Sequence, residues 1–333
     1  MIRLLRVFGI VAVVLGLALV GVWGGLAIWF RAPLPEVARL VVSGFWGLGS
    51  VATMIAYFGP FRWRTMGLFA LFFAGLVVWW NTLQPPETGN WATDVSRQVT
   101  GDIDENILTL TNVREFEWRT NTDFTEQWTT RTYDLDRLTS VDMFLSYWAG
   151  PEMAHFILSF GFSDGQFLAW SVEVRREVDG GFSPVADFFK ENTLVIVAAS
   201  EQDVVGVRSN VRGEDVQLFR LNARPEQARA LLEEYVSEAN ALARVPQWYN
   251  SVTTNCTTVV FKMMKAIGNG YRFDWRIIAN GYLPDYGYDQ GALNTTIPLG
   301  DLRALGRIAP RALAIGLNPQ FSNAIRLGVP TPN

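Results

Sequence analysis

Two residues in this sequence are alone of their kind: among 333 residues, Cys256 is the only cysteine and His155 the only histidine. A thiolate is a strong nucleophile and an imidazole titrates close to neutral pH, so the pair supplies the nucleophile and the base of a Cys-His site. The same counts remove an intrachain disulfide and every zinc site built on two or more Cys or His ligands. A lone free cysteine is most often buried and inert, behaving as a small hydrophobe. Whether these two side chains do chemistry therefore depends on the elements that hold them.

The run Tyr249-Asn250-Ser251-Val252-Thr253-Thr254-Asn255-Cys256-Thr257-Thr258 precedes apolar residues Val259, Val260, Met263, Met264 and Ile267, which recur at helical spacing up to Gly268. The spacing predicts a helix that opens near Thr254-Asn255 and stops at Gly268, with Cys256 in its first turn. Unpaired N–H groups and the positive end of the dipole favour a thiolate there and can hold a developing oxyanion. Asn255, Asn250, Tyr249 and Ser171 are further candidates for the oxyanion or substrate-binding site. A second helix is expected from Pro225, its apolar face formed by Leu231, Leu232, Tyr235, Val236, Ala239 and Leu242.

His155 is positioned by a predicted hairpin. In strand 155–162 the apolar face is Phe156, Leu158, Phe160 and Phe162, and in strand 167–176 it is Leu168, Trp170, Val172 and Val174. For these faces to coincide, paired residue numbers must sum to an even value, which excludes a two-residue Asp164-Gly165 loop and selects the three-residue loop Ser163-Asp164-Gly165 with Gly165 left-handed. That register sets residue 155 opposite 173. Glu173 then faces His155 as the third member of a triad, and Ser171 is a diagonal neighbour. Further strands are expected at 106–110, 113–118, 127–135, 194–199, 203–208 and 216–221. Strands first and helices after make the fold class α+β, an antiparallel sheet packed on a few helices. Tyr282, Tyr286 and Tyr288 are expected in an aromatic loop covering the site.

Apolar residues make up 49% of the chain and charged ones only 18%, and the excess is concentrated at the front. Three apolar runs, 7–30, 37–58 and 66–82, are each long enough to cross a bilayer as a helix. Residues 1–83 carry six arginines and one glutamate, whereas residues 84–333 carry 22 basic and 31 acidic groups. With Arg3 and Arg6 on one side and Arg62 and Arg64 on the same side two spans later, the positive-inside rule puts the N-terminus in the cytoplasm and the main domain outside. No Asp, Glu, Lys or His lies deep in a span, so the helices read as an anchor rather than a pump or channel. The expected organisation is a three-helix membrane anchor at 1–83, a linker at 84–99 and a Cys-His domain at 100–333. The acidic remainder argues against a nucleic-acid partner, and without a phosphate-cradling glycine loop, nucleotide fingerprint or calcium loop no metal or other cofactor is expected.

Four separated stretches carry a family resemblance: Asn112-Val113-Arg114-Glu115-Phe116-Glu117-Trp118-Arg119, Ser146-Tyr147-Trp148-Ala149-Gly150-Pro151 through His155, Ser171-Val172-Glu173-Val174-Arg175-Arg176-Glu177, and Pro246-Gln247-Trp248-Tyr249-Asn250 through Thr258. In this order they resemble the domain of unknown function named after the N-terminal periplasmic part of Lnb, a bacterial lipoprotein N-acyltransferase. The resemblance implies a permuted papain-like fold with His before Cys, a location at the bacterial inner membrane with the domain in the periplasm, and a thiol and imidazole at Cys256 and His155. It also implies an acyl-transfer or thioesterase-like activity on a membrane phospholipid or lipoprotein. The long membrane-embedded C-terminal half of Lnb is not expected in this protein, which bears on the lipoprotein substrate and leaves the thiol chemistry untouched. A cell-wall cysteine peptidase or amidase would use the same residues, and a non-catalytic envelope scaffold would bury Cys256 away from His155.

Overall fold

The computed structural model describes every residue except Met1, Asn269 and Asn333, and all but the side chain of Ile2. It divides into two compact units, Met1–Pro86 with Ser183–Glu191, and Glu87–Phe182 with Asn192–Asn333.

The first unit contains α1 (Ile2–Arg31), α2 (Glu36–Ala56) and α3 (Arg62–Thr82), three helices long and apolar enough to cross a membrane. In lipid the pairing of α1 and α2 depends on close packing and interhelical hydrogen bonds, not on the hydrophobic effect. Gly24 gives way to Trp46, whose ring atoms would lie 2.4 Å from a Cβ at that position. Ser50 Oγ donates to the Leu17 carbonyl at 2.9 Å and Trp46 Nε1 to the Val20 carbonyl at 3.3 Å, which ties the helices by polar contacts as well. The unit also claims a segment far away in sequence. Residues Ser183–Glu191, containing the one-turn helix α4 (Pro184–Phe188), pack on the membrane helices. Phe189 stacks on Phe30 at 5.7 Å and meets Trp80 edge-on at 6.1 Å, while Lys190 Nζ donates to the Trp80 carbonyl at 2.7 Å.

The second unit is α+β, built on an eight-stranded sheet. Its strands are β1 (Thr100–Asp104), β2 (Ile107–Arg114), β5 (Trp128–Asp134), β6 (Leu138–Tyr147), β7 (Ala154–Phe162), β8 (Phe167–Arg175), β9 (Thr193–Ala199) and β10 (Asp215–Arg220). A separate two-stranded ribbon joins β3 (Glu117–Trp118) and β4 (Phe124–Thr125). The order is β1-β2-β9-β8-β7-β6-β10, with β5 also pairing β2. The sheet is mixed, because β2 meets β9 in parallel at Arg114 and Ala199, while the other strand pairs run antiparallel. One face packs on α6 (Pro225–Arg244) and α7 (Cys256–Ala266). The other packs on α5 (Glu201–Val204), α10 (Ala309–Ile315) and α11 (Phe321–Ala324). Central strands buried on both sides explain the continuous apolar run of β9, where all seven residues are buried.

The hairpin register is the one the parity argument selects: Ile157 pairs with Ser171 and Phe160 with Leu168, and Gly165 has φ +86°. Elsewhere the sheet departs from expectation. The stretch 203–208 is not a strand: Ser200 caps α5 by accepting from the Asp203 N–H at 3.3 Å, and a π-helical turn follows at Val207–Val211. Two strands of the sheet, and β4 of the ribbon, are additional to those expected. β6 is obscured by Asp142, a fully buried carboxylate whose charge is met by Arg220 and Arg326. β1 is short and polar. The strand expected over 113–118 is split, with β2 ending at Arg114 and the ribbon beginning at Glu117.

Candidate functional site

Asn255 caps α7, its side-chain oxygen accepting from the N–H groups of Thr257 at 3.0 Å and Thr258 at 2.9 Å, while its own amide donates to the Ser251 carbonyl at 2.7 Å. This cap fixes Cys256 as the first helical residue, only 7% exposed. It also takes up two of the helix N–H groups on which an oxyanion site in this turn would draw. Asn250 works one turn earlier, accepting from Val252 and Thr253 N–H at 3.0 Å each, and so shapes the loop before the nucleophile. Tyr249 is buried in the core, its ring 6.4 Å from Phe182.

His155 enters from the second position of β7, paired with Ser146 on β6. Its Nε2 lies 2.7 Å from Ser171 Oγ and 3.1 Å from Glu173 Oε1, and Ser171 Oγ donates to the same carboxylate oxygen at 2.7 Å. Glu173 therefore holds the ring both directly and through a hydroxyl. Ser171, expected near the oxyanion or substrate, sits on the carboxylate side of the imidazole. With Nε2 engaged there, Nδ1 is the nitrogen left to take the thiol proton. The thiol lies close enough to the imidazole and to the Phe156 backbone N–H for both to favour its ionised form. Sulfur, ring and carboxylate are thus electrostatically coupled.

The electrostatics follow from these contacts. Burial pushes the Cys256 thiol up, but hydrogen bonding and charge from His155, with help from Phe156 N–H and Thr257, outweigh it and bring the thiol below its ordinary value. Burial and Arg208 depress the imidazole, yet Glu173 and the thiol more than reverse them, so His155 stands above its ordinary value. Burial also opposes ionisation of Glu173, while His155, Arg208 and Ser171 hold it well below the usual carboxylate range. A thiolate beside an imidazolium is the arrangement such shifts favour. The His155 and Glu173 side chains retain 13% and 17% exposure, so the pair is nearly buried but still open to a reactant.

Two further residues complete the site. Arg208, on the π-helical turn, donates to Glu173 at 3.3 Å and to Glu214 at 3.3 Å. Asn280 donates through Nδ2 to Cys256 Sγ at 3.5 Å and to Thr257 Oγ1 at 2.9 Å, and its Oδ1 accepts from Ala154 N–H at 2.8 Å. Neither has a signature in the sequence, since a lone Arg in a β-like run and an Asn beside a Gly have commoner explanations. The expected aromatic loop is instead a 3-10 turn ending at Tyr282 (Asn280–Tyr282) followed by a short helix, α8 (Leu283–Asp289), which carries Tyr286 and Tyr288. Tyr286 of that helix lines an apolar cavity of about 110 Å³ shared with Phe156, Leu158, Thr257, Val260 and Met264. Thr257 and Phe156 are the chain neighbours of the thiol and the imidazole. Among the described residues, no group of three or more His, Cys, Asp or Glu side chains is placed to hold a metal ion.

The segment 124–281, which includes β4 to β10, His155, Cys256 and Asn280, matches the family model described as the Lnb N-terminal periplasmic domain. No curated protein and no solved structure matches the chain. Over residues 124–281 the chain is thus similar to the Lnb N-terminal periplasmic domain family, and ahead of that segment it carries three helices long and apolar enough to span a membrane.

Proposed function

We propose that this protein is a membrane-anchored periplasmic enzyme that moves acyl groups of lipids or lipoproteins through a thioester on Cys256. In this reading the Cys256 thiolate attacks an ester carbonyl, His155 carries the thiol proton and returns it to the leaving alcohol, and Glu173 orients the ring. The observation that carries the choice of substrate is the apolar cavity lined in part by Thr257 and Phe156, the chain neighbours of Cys256 and His155. Its volume, about 110 Å³, is of the order of the ~150 Å³ apolar cavities that take up benzene, so it suits the first methylenes of an acyl chain. Three membrane helices would hold the site near the bilayer and raise the effective concentration of a phospholipid donor. The arginines at residues 3, 6, 62 and 64 favour a cytoplasmic N-terminus.

The test is intact mass of the detergent-purified full chain after incubation with phospholipid vesicles, with and without hydroxylamine, beside Cys256→Ala. A hydroxylamine-labile fatty-acyl increment on the wild type alone is expected. A thiol that alkylates readily yet gains no acyl group from phospholipid would redirect the reading to a peptide or amide substrate.

A further inference from the structure

Any acyl transfer to Cys256 passes through a tetrahedral intermediate whose oxygen carries a full negative charge, and a buried site must meet that charge with preorganised donors. The first turn of α7 supplies fewer than its position promises, because Asn255 takes the N–H groups of Thr257 and Thr258. The Cys256 N–H lies outside that cap. The Phe156 N–H and the Thr257 hydroxyl, 3.8 Å from Sγ, also neighbour the sulfur, but the side-chain donor nearest to it is the amide of Asn280, 6% exposed and 3.5 Å from Sγ.

The orientation of this amide is set by its surroundings. Its Oδ1 accepts from the Ala154 N–H, a group that only donates, so Nδ2 must face the thiol and Thr257. The backbone that carries it is pressed against the loop leading to His155. Gly281 N–H donates to the Glu152 carbonyl at 3.0 Å, and a Cβ on Gly281 would lie 2.0 Å from the Pro151 carbonyl oxygen, so only glycine permits the approach. The Gly281 carbonyl in turn accepts from the Tyr147 hydroxyl at 2.8 Å, and Arg303 bridges Tyr147 and Asp285. Asn280 is thus locked in place before any substrate arrives, with one N–H on Thr257 and the other directed at the reacting sulfur.

Resting on the acyl-transfer reading above, we propose that Asn280 is a catalytic residue, the side-chain donor of the oxyanion site, acting together with the Cys256 backbone N–H. As the sulfur–carbon bond forms, the carbonyl π pair moves onto oxygen, and the Asn280 N–H that faced the sulfur donates to that oxygen from its fixed position. When the pair returns, the carbon–oxygen bond to the leaving group breaks and the departing alkoxide takes the proton held by His155. Oxygen regains its double bond and Asn280 is released.

The test compares two reactions of the same thiol in the detergent-solubilised full chain. Acylation by p-nitrophenyl butyrate develops an oxyanion, whereas alkylation by iodoacetamide needs the thiolate alone. In Asn280→Ala the ratio of acylation to alkylation rates is expected to fall by roughly 10²- to 10³-fold, the usual cost of losing one such donor. Asn280→Asp keeps the acceptor for Ala154 N–H and so guards against loss of folding; its ratio should fall at least as far. Equal losses in both reactions would make Asn280 a residue that only positions the thiol, and no loss in either would remove it from the oxyanion site while leaving thioester formation intact. A wild type that alkylates but is never acylated would overturn the acyl-transfer reading itself, and this assignment with it.

Discussion

Arg114 and Arg208 are both buried arginines paired with carboxylates, and they differ in how fully their partners are satisfied. Asp203 takes Arg114 Nε at 2.8 Å and Nη2 at 2.9 Å, Phe116 N–H at 2.9 Å and Trp118 Nε1 at 2.7 Å. Arg114 Nη1 completes the cluster on the Asp94 carbonyl at 2.7 Å. Arg208, by contrast, divides itself between Glu173 and Glu214 at 3.3 Å each, and its buried Nε has no hydrogen-bond partner. The first cluster is a saturated lock that fastens the end of β2 to α5. The second leaves bonding capacity unspent beside the Glu173 carboxylate that holds His155. Incomplete satisfaction is costly in a fold, so the two clusters contribute differently to stability.

The comparison is sharpest at Asp203. Asp203→Ala leaves the Arg114 charge buried without its carboxylate and should cost about 3–5 kcal/mol. Thermal or denaturant unfolding of the detergent-solubilised chain reads this loss, beside a Cys256→Ala variant expected to melt close to wild type. An Asp203→Ala protein as stable as the wild type would break the distinction between lock and site.

Next in size is Glu173→Gln. His155 is held above its ordinary value of 6.5, so the stability linked to its proton is fully present below pH 6.5 and is lost as pH rises through the folded value. Without Glu173 the depressing influences of burial and Arg208 act unopposed, the imidazolium gives up its proton at lower pH, and the thiolate loses its partner. The pH profile of iodoacetamide alkylation at Cys256 should therefore move towards higher pH, with roughly tenfold slower reaction at neutral pH. A profile identical to wild type would mean that the carboxylate does not set the imidazole. Glu173 Oε1 reaches Nε2 directly at 3.1 Å as well as through the hydroxyl, so Ser171→Ala should slow alkylation only about two- to threefold. A loss as large as that of Glu173→Gln would show that the carboxylate works only through Ser171.

Much of the site was legible from residue order because its geometry is local. The alternation of large apolar residues in β7 and β8 admits one hairpin parity, and that parity alone puts Glu173 beside His155. The Asn255 cap likewise follows from a side chain next to the amides it accepts, which is why the start of α7 could be placed. Contacts between distant segments were not legible. Arg208 reaches Glu173 from a π-helical turn inside a run that reads as a strand, since Val204, Val205 and Val207 favour extended structure until Ser200 and Asp203 build a cap. Asn280 reaches the thiol only because Gly281 lets two loops touch. The attachment of residues 183–191 to the membrane helices depends on Phe30, Trp80 and Phe189, which no sequence period connects.

Composition and periodicity were enough to settle the three apolar helices, the α+β class and the identities of the single thiol and imidazole, because hydrophobic burial and local backbone geometry act within a few residues of one another. The meeting of Cys256 with His155, the choice of Asn280 over Asn255 as the amide at the sulfur, and the unsaturated bonding of Arg208 were decided by packing across the sheet. Those contacts join residues dozens to more than a hundred positions apart, and their energy is realised only once the chain has closed the loops between them.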